Sequence, residues 1–480
     1  MRRIFIFFFA FFVIVQASAH SGKARFHVLI DTDGAADDLR TICMLLGNRE
    51  IEVLAITTSE GALTSNRAAV KVKSLLRQFH HEGIPVGAGR SLQISAPIWR
   101  QQSENIDWGD ETSIDLSIQS AKDVITYAIE NEDEKVVIVS LGSLTNLNDV
   151  LSARPQLKEN IDRVVWYTSA AKPLSGTNYD ADKASADRIL ASGVSVEIVS
   201  AEKQAIVIDD KYVDLVASVD NVYAQKIVST HRNGALTPVI SSGHMKLWDD
   251  LVAVWLFAPE LFASTQVQAT VTFHILPDVA AVSQAKNTII QILTGKPDSE
   301  SRVFSRFPED VTLFAADVAG AMKDIIPRYG HSEWRAGVLT NELHGHLGIY
   351  AIIGVKMGIR AREYFNIGVD DVEVVTHAGL VPPISCMNDG LQVSTGGTLG
   401  HGLISVSNES VRPEATFSFK GKTIRMKLKP QYAAQIREDV AEGIRLHGDL
   451  TEAYWEHIRV LAIKYWQEFS RYEIFEMSVD

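Results

Sequence analysis

Short apolar runs alternate with amphipathic stretches from residue 26 to about residue 200 of the chain. Helices are predicted where apolar residues recur at helical spacing, as in 37–46, 65–79 and 114–130. Strands are predicted for the short β-branched runs at 27–31, 52–58, 85–89, 135–141, 163–168 and 196–200. This alternation implies right-handed βαβ units, and therefore an α/β fold with a mostly parallel sheet and covering helices.

The pattern changes after about residue 330. Glycines become dense between Gly345 and Gly402, and a hairpin is predicted at Ala415–Leu428. Two amphipathic helices are predicted after it, at Gln431–Leu446 and Leu450–Phe469. We therefore expect a smaller α+β C-terminal domain, with the boundary near residues 328–332 and domains at 20–330 and 331–480.

Composition and the N-terminus indicate a compartment and a class of partner. The 480 residues are 46% hydrophobic and 22% charged, as in a globular protein too long for one core, and the net charge of −13 argues against nucleic acid and favours a small-molecule partner. Residues 1–19 read as a secretory signal peptide, with Arg2 and Arg3 before an apolar run too short for a stable membrane anchor. We expect a secreted or periplasmic protein, and a homo-oligomer is left open. With two cysteines, a disulfide-built scaffold is excluded.

The first strand ends in a cluster of carboxylates. Asp31, Asp33, Asp37 and Asp38 lie within eight residues, and such charges repel one another unless a cation or bound hydroxyls offset them. Oxygen-rich loops of this kind suit Ca²⁺, and ligands of parallel sheets bind at the carboxyl ends of the strands. A capped turn is the alternative interpretation.

Four segments of the N-terminal half resemble the inosine-uridine-preferring nucleoside hydrolase family, over about residues 26–325. They are Asp31–Asp38, Leu141–Asn146, Asn178–Asp182 and Trp248–Val254. The resemblance implies a Ca²⁺ ion held by Asp33, Asp38, Asp249 and the main-chain carbonyl of Leu141. It also implies that Asp37 and Asn178 hold ribose hydroxyls, and that Asp33 takes the proton from the attacking water.

Two departures from the family pattern affect the expected activity. Trp248 replaces the family's histidine, which helps the leaving base depart, and Gly176 replaces a glutamate. His244 could act as a substitute acid or be a surface histidine, whereas Trp248 could stack on the leaving group. Two functions therefore stay open: an exported Ca²⁺-dependent hydrolase of N-ribosyl bonds, and a non-catalytic nucleoside- or sugar-binding protein that keeps the metal pocket.

The C-terminal half resembles a family of formylmethanofuran dehydrogenase subunits over about residues 335–410. The resemblance rests on His344-Gly345-His346, Gly354–Gly358, Cys386–Gln392 and Thr395–Gly402. His344, His346 and Cys386 could form a transition-metal site, with Zn²⁺ favoured because it accepts mixed nitrogen and sulfur ligands. His377 and His401 are further candidates, and the alternative is a metal-free domain used for packing or dimerisation.

Overall fold

The computed structural model describes residues 24–112, 114–171, 173–201, 206–295, 303–304 and 306–479. The predicted signal peptide lies outside the described residues. In chain order the strands are β1 (Phe26–Thr32), β2 (Ile51–Thr58), β3 (Val86–Ala88), β4 (Gln119–Ser120), β5 (Val136–Ser140), β6 (Ile161–Tyr167), β7 (Ala170–Ala171), β8 (Leu174–Ser175), β9 (Val196–Ser200), β10 (Ile206–Val207), β11 (Lys246–Leu247), β12 (Ala263–Gln268), β13 (Val271–Ile275), β14 (Glu373–Thr376), β15 (Ile404–Val406), β16 (Glu414–Phe419), β17 (Lys422–Leu428) and β18 (Phe475–Val479). The helices are α1 (Ala36–Gly47), α2 (Ser65–Gln78), α3 (Arg100–Glu104), α4 (Ala121–Glu130), α5 (Thr145–Ala153), α6 (Thr177–Ala181), α7 (Lys183–Leu190), α8 (Asp210–Ala217), α9 (Val222–Arg232), α10 (Thr237–Ser241), α11 (Asp250–Phe257), α12 (Val279–Thr294), α13 (Ala316–His344), α14 (Ile349–Phe365), α15 (Met387–Thr395), α16 (Pro430–His447) and α17 (Glu452–Glu468).

Nine strands form the sheet of the N-terminal half, in the order β12-β13-β9-β6-β5-β1-β2-β3-β4. All neighbours in it are parallel except the edge strand β12, which runs antiparallel to β13. One apolar core lies under α1, α2, α8, α9, α11 and α12, and a second lies under α4, α5 and α7 on the other face. The predicted α/β class is therefore confirmed, and β1 lies in the middle of the sheet, with its carboxyl end beside those of β2 and β5.

All six predicted strands are present, but one predicted helix begins later than its pattern indicated. Residues 119–120 pair with β3 instead, and α4 begins only at Ala121. Ser120 caps this helix, since its side chain accepts a hydrogen bond from the backbone N–H of Asp123 at 3.1 Å. The apolar residues at 114–118 therefore belong to a connecting segment and not to the helix.

The C-terminal α+β part packs five helices against a five-stranded sheet of order β15-β14-β16-β17-β18. The predicted hairpin is confirmed as β16 and β17. Helix α13 runs through the predicted boundary with a break at Gly330, whose φ is 83°. Phe307, Trp334 and Trp466 belong to one apolar cluster, so the chain from residue 307 packs with the C-terminal part. In the described part of the chain, no helix is both long and apolar enough to cross a membrane.

The two halves contact each other through polar groups at the end of the sheet where β1 and β2 begin. The ammonium group of Lys420, in the β16–β17 turn, contacts the carboxylates of both Glu52 and Glu132. His27 lies against the same two carboxylates, with its Nδ1 at 3.4 and 3.3 Å from their oxygens. These residues have the ligand types of a metal site, but Lys420 already supplies the positive charge there.

Candidate active site

The loop between β1 and α1 is held in shape by Asp38. Its carboxylate accepts hydrogen bonds from the Thr32 hydroxyl and from the backbone N–H groups of Asp33, at 3.1 Å, and Ala35, at 3.2 Å. Such bonds satisfy donors at the start of a helix that have no intrahelical partner. The loop geometry therefore places Asp33, Asp37 and Asp38 together at the carboxyl end of β1.

Asp37, Asp38 and Asp249 form a buried carboxylate group, with one oxygen of each lying within 4.8 Å of the others. Asp249 comes from the start of α11, and its Oδ1 is buried without a hydrogen-bond partner. Burial, followed by repulsion from neighbouring aspartates, raises the pKa of Asp38 and of Asp249 well above the ordinary value. An unpartnered buried oxygen and three crowded carboxylates fit the ligand set of a hard divalent cation.

Asp33 lies beside this group and is also buried. Burial, followed by repulsion from Asp37 and Asp31, raises its pKa to about 7. The structure thus brings the predicted ligands Asp38 and Asp249 together, and it places Asp37 in the group where the resemblance implied Asp33. Asp33 has the pKa expected of a group that accepts a proton near neutral pH.

Two other aspartates of the acidic segments have protein partners instead. Asp31 accepts hydrogen bonds of 2.6 Å from the Thr57 hydroxyl and from the Asn146 side-chain amide. Asp250 forms a buried two-pronged ion pair with Arg40, at 2.7 and 2.6 Å. Arg40 therefore compensates the charge of Asp250, whereas Asp31 is held by neutral donors on one oxygen and lies outside the group of Asp37, Asp38 and Asp249.

Leu141 and Asn178 complete the carboxyl edge of the site. The side-chain amide of Asn178 donates to the main-chain carbonyl of Leu141 at 2.8 Å and to that of Tyr167 at 3.2 Å. Both N–H groups of the amide are therefore engaged, and its oxygen is the group that a sugar hydroxyl can reach. The carbonyl of Leu141 has a second lone pair with which it can face a cation.

These residues open into a cavity of about 360 Å³. The remaining wall comes largely from two segments, residues 99–106 and 236–245, with Trp248 beside them. In these two segments only His244 was predicted to belong to the site. The sequence offered one signal for the first of these segments: Trp99 is a large aromatic side chain that follows Pro97 and Ile98 in an irregular loop. The loop is anchored by Arg100, which donates to the carbonyls of Gly61 and Ala62 at 2.9 and 3.1 Å.

The structure separates the two candidates for leaving-group assistance. Trp248 lines the cavity, whereas His244 is exposed, is hydrogen-bonded to Ser242 at 2.8 Å, and does not line it. Gly176 has a φ of +130°, and a Cβ there would lie 2.7 Å from the backbone nitrogen of Ser169. The backbone at Gly176 therefore excludes the family's glutamate side chain.

The C-terminal candidates come only partly together. His344 Nδ1 lies 2.7 Å from a carboxylate oxygen of Asp389, and its Nε2 is buried without a partner. The rings of His344 and His346 are 4.3 Å apart. Among the described residues, His344, His346 and Cys386 do not form a group of ligand atoms within 4.8 Å. Burial raises the pKa of the Cys386 thiol.

Comparison with known proteins identifies the family. The model for inosine-uridine preferring nucleoside hydrolases matches residues 28–296, more than half of the chain, and the chain belongs to this family. A second model, described as FmdE, molybdenum formylmethanofuran dehydrogenase operon, matches residues 343–475. Both resemblances found in the sequence are confirmed.

Individual relatives cover the N-terminal half. A pyrimidine-specific ribonucleoside hydrolase of Shewanella woodyi is 24% identical over 259 residues, which are 50% of this chain and 81% of the relative. Its counterpart from Escherichia coli O1:K1 / APEC is 24% identical over 258 residues, 50% of this chain and 82% of the relative. Among solved structures, the inosine-uridine preferring nucleoside hydrolase from Bacillus anthracis has a TM-score of 0.46 at 15% identity, covering 56% of this chain and 99% of that chain.

Proposed function

We propose that the protein is an exported, Ca²⁺-dependent hydrolase of N-ribosyl bonds, acting on a nucleoside or a related ribosyl compound. The observation that supports this most is the buried carboxylate group of Asp37, Asp38 and Asp249 at the carboxyl end of β1, in which Asp249 Oδ1 has no hydrogen-bond partner among the described residues. The named activity of its ribonucleoside hydrolase relatives supports the same reaction.

The residues of the candidate active site would have different roles in hydrolysis. Asp37, Asp38, Asp249 and the carbonyl of Leu141 would hold Ca²⁺, which when bound supplies positive charge for sugar hydroxyls and water. Asn178 would accept a hydrogen bond from a ribose hydroxyl through its amide oxygen. Asp33, with its pKa of about 7, would take the proton of the water that attacks the anomeric carbon.

The C-terminal part is proposed to be an accessory domain that binds Zn²⁺. His344, with its buried unpartnered Nε2, would be the first ligand, and His346 and Cys386 would be recruited as the metal binds. Asp389 would hold the His344 ring through Nδ1, as carboxylates do behind metal-bound histidines.

The test of the hydrolase is an Asp33→Asn variant assayed for release of reducing sugar from a panel of ribosyl compounds. It keeps an oxygen in place and removes the base, so kcat should fall by ~10²–10⁴-fold with smaller effects on binding. Asp180→Asn is the matched control, because Asp180 is exposed and its carboxylate pairs with Lys183 at 3.0 Å. If wild type and Asp33→Asn are equally inactive while wild type still binds ribose, the protein is instead the non-catalytic binding protein.

A further inference from the structure

Much of the wall of the active-site cavity outside the carboxylate group is apolar and aromatic. Six such side chains line it beside polar residues such as Gln102, Ser103 and Thr168: Trp99, Ile106, Leu236, Val239, Met245 and Trp248. Trp99 comes from the segment before α3, and Trp248 directly precedes the ligand candidate Asp249, so the wall adjoins the reacting end of the site. This part of the cavity is where the leaving group of a ribosyl compound would lie.

The described residues of this cavity offer the leaving group no acid. Its lining contains no histidine, lysine or arginine, and its acidic members are Asp33, Asp37, Asp38 and Asp249, which the metal and the water already engage. Gln102 and Ser103 can form hydrogen bonds but are not acids at neutral pH. The phenol of Tyr167 is hydrogen-bonded to the backbone of Ala201 instead.

The charge of the cavity lining also affects which leaving group the cavity favours. Four acidic side chains and no basic side chain line the described cavity, so its protein lining carries no positive charge that would repel a cationic leaving group. Two indole rings border the same space, and indoles attract cations through their electron-rich faces. The cavity therefore favours a flat, apolar leaving group that carries positive charge.

We propose that the preferred substrates are ribosides of cationic heterocycles, in which the ring nitrogen bonded to the sugar or its ring system bears a positive charge, as in N-ribosyl pyridinium compounds. This inference rests on the proposed hydrolase function. When the bond between the anomeric carbon and the ring nitrogen breaks, its electron pair neutralises the ring, which leaves without a proton. Water supplies the new oxygen on the anomeric carbon, and its proton passes to Asp33 and then to solvent. A neutral base must leave as an anion unless it is protonated, and the described lining of this site supplies no acid for it.

The test uses matched substrates that differ in charge. Guanosine and 7-methylguanosine differ by one methyl group that makes the base cationic, and nicotinamide riboside is the pyridinium probe. We expect kcat/KM for 7-methylguanosine to exceed that for guanosine by at least ~10²-fold, the usual worth of a general acid. Trp248→His should reduce this ratio at least tenfold by accelerating guanosine alone, which separates the missing acid from the intrinsic lability of the methylated base. A ratio near one, or a ratio that Trp248→His leaves unchanged, would overturn the proposal.

If the Trp248→His variant fails to fold, a binding measurement on wild type and on a second variant tests the proposal instead. N1-methylnicotinamide, a cation, should inhibit wild type roughly tenfold more tightly than neutral nicotinamide, and Trp99→Leu should remove most of this difference. Equal inhibition by the two compounds would refute the cationic pocket.

A further substrate distinguishes a failure of this inference from a failure of the proposed hydrolase function. 4-Nitrophenyl riboside is neutral, and its leaving group departs without an acid. Its cleavage without a preference for the cationic compounds would overturn only the substrate proposal. Failure to cleave it, the nucleosides and nicotinamide riboside would overturn the hydrolase itself and this inference with it.

Discussion

Removing the metal should make the free energy of unfolding depend on pH. The raised pKa of Asp33 determines whether that free energy rises or falls as the pH increases. In the metal-free protein the pKa of Asp33 is about 7, against an ordinary value of 3.8. Between these values the folded state holds a proton that the unfolded state has lost. The stabilisation is therefore fully present below pH 3.8 and is lost as the pH rises through 7.

The magnitude follows from the two pKa values. A difference of about three units corresponds to about 4 kcal/mol, since each unit is worth about 1.4 kcal/mol. Bound Ca²⁺ reverses this loss because it holds the carboxylates in their charged form. At a free concentration one hundred times its Kd, it should add ~2.7 kcal/mol to the free energy of unfolding.

The assay is urea unfolding of EDTA-stripped protein at several pH values between 4.5 and 7.5, with and without added Ca²⁺. Other groups also titrate in this range, so the quantity compared is the slope of wild type minus that of Asp33→Asn. The stripped wild type should lose stability relative to the variant as pH rises, and Asp180→Asn should behave as wild type. Parallel pH profiles for wild type and Asp33→Asn, together with no stabilisation by Ca²⁺, would refute the assignment of the carboxylate group as a calcium site.

Two further predictions concern the C-terminal part and its contact with the sheet. His81 is buried between the carbonyl of Glu363 and the hydroxyl of Tyr223, each at 2.7 Å, and burial lowers its pKa to about 4. The unfolded chain binds this proton more readily, so stability should fall by up to ~3 kcal/mol as pH drops from 6.5 to 4, and His81→Gln should lessen the fall in urea titrations. A His346→Ala variant should lose zinc and keep Ca²⁺ in elemental analysis of purified protein, and wild type free of zinc, iron, nickel and copper would contradict the second metal site around His344.

Much of the fold was predictable because its local and global signals agree. Buried parallel strands are rich in apolar residues, and all six predicted strands coincide with observed ones within a few residues. The exceptions have local causes, such as the Ser120 cap that delays α4. The segment 316–344 consists of two helical stretches, since the backbone of Gly330, with φ 83° and ψ 169°, is not helical, and this break lies within the predicted boundary at 328–332.

The part of the candidate site at the carboxyl edge of the sheet was predictable from the sequence, and most of the opposite wall of the cavity was not. Asp33, Asp38 and Asp249 follow strands or begin helices, where sequence patterns place them at one edge. Trp99 and Met245 come from irregular segments, and their positions depend on tertiary anchors such as the bonds of Arg100 to the backbone. Sequence periodicity does not reveal such contacts, so these parts of the leaving-group wall were missed, whereas Trp248 was predicted.

The adjacent aspartates Asp249 and Asp250 show how a buried arginine bears on which of two acidic residues is a ligand candidate. Asp249 and its neighbour Asp250 are adjacent at a helix start, and their side chains have different surroundings: Asp249 lines the cavity, whereas Asp250 pairs with Arg40. Arg40 decides between them, because it lies one turn after Asp37 on the buried face of α1 and requires an acidic partner there. An arginine among Leu39, Thr41 and Ile42 was visible in the sequence as a buried charge. Its pairing with Asp250 agrees with Asp249 as the ligand candidate, which the family resemblance had already implied.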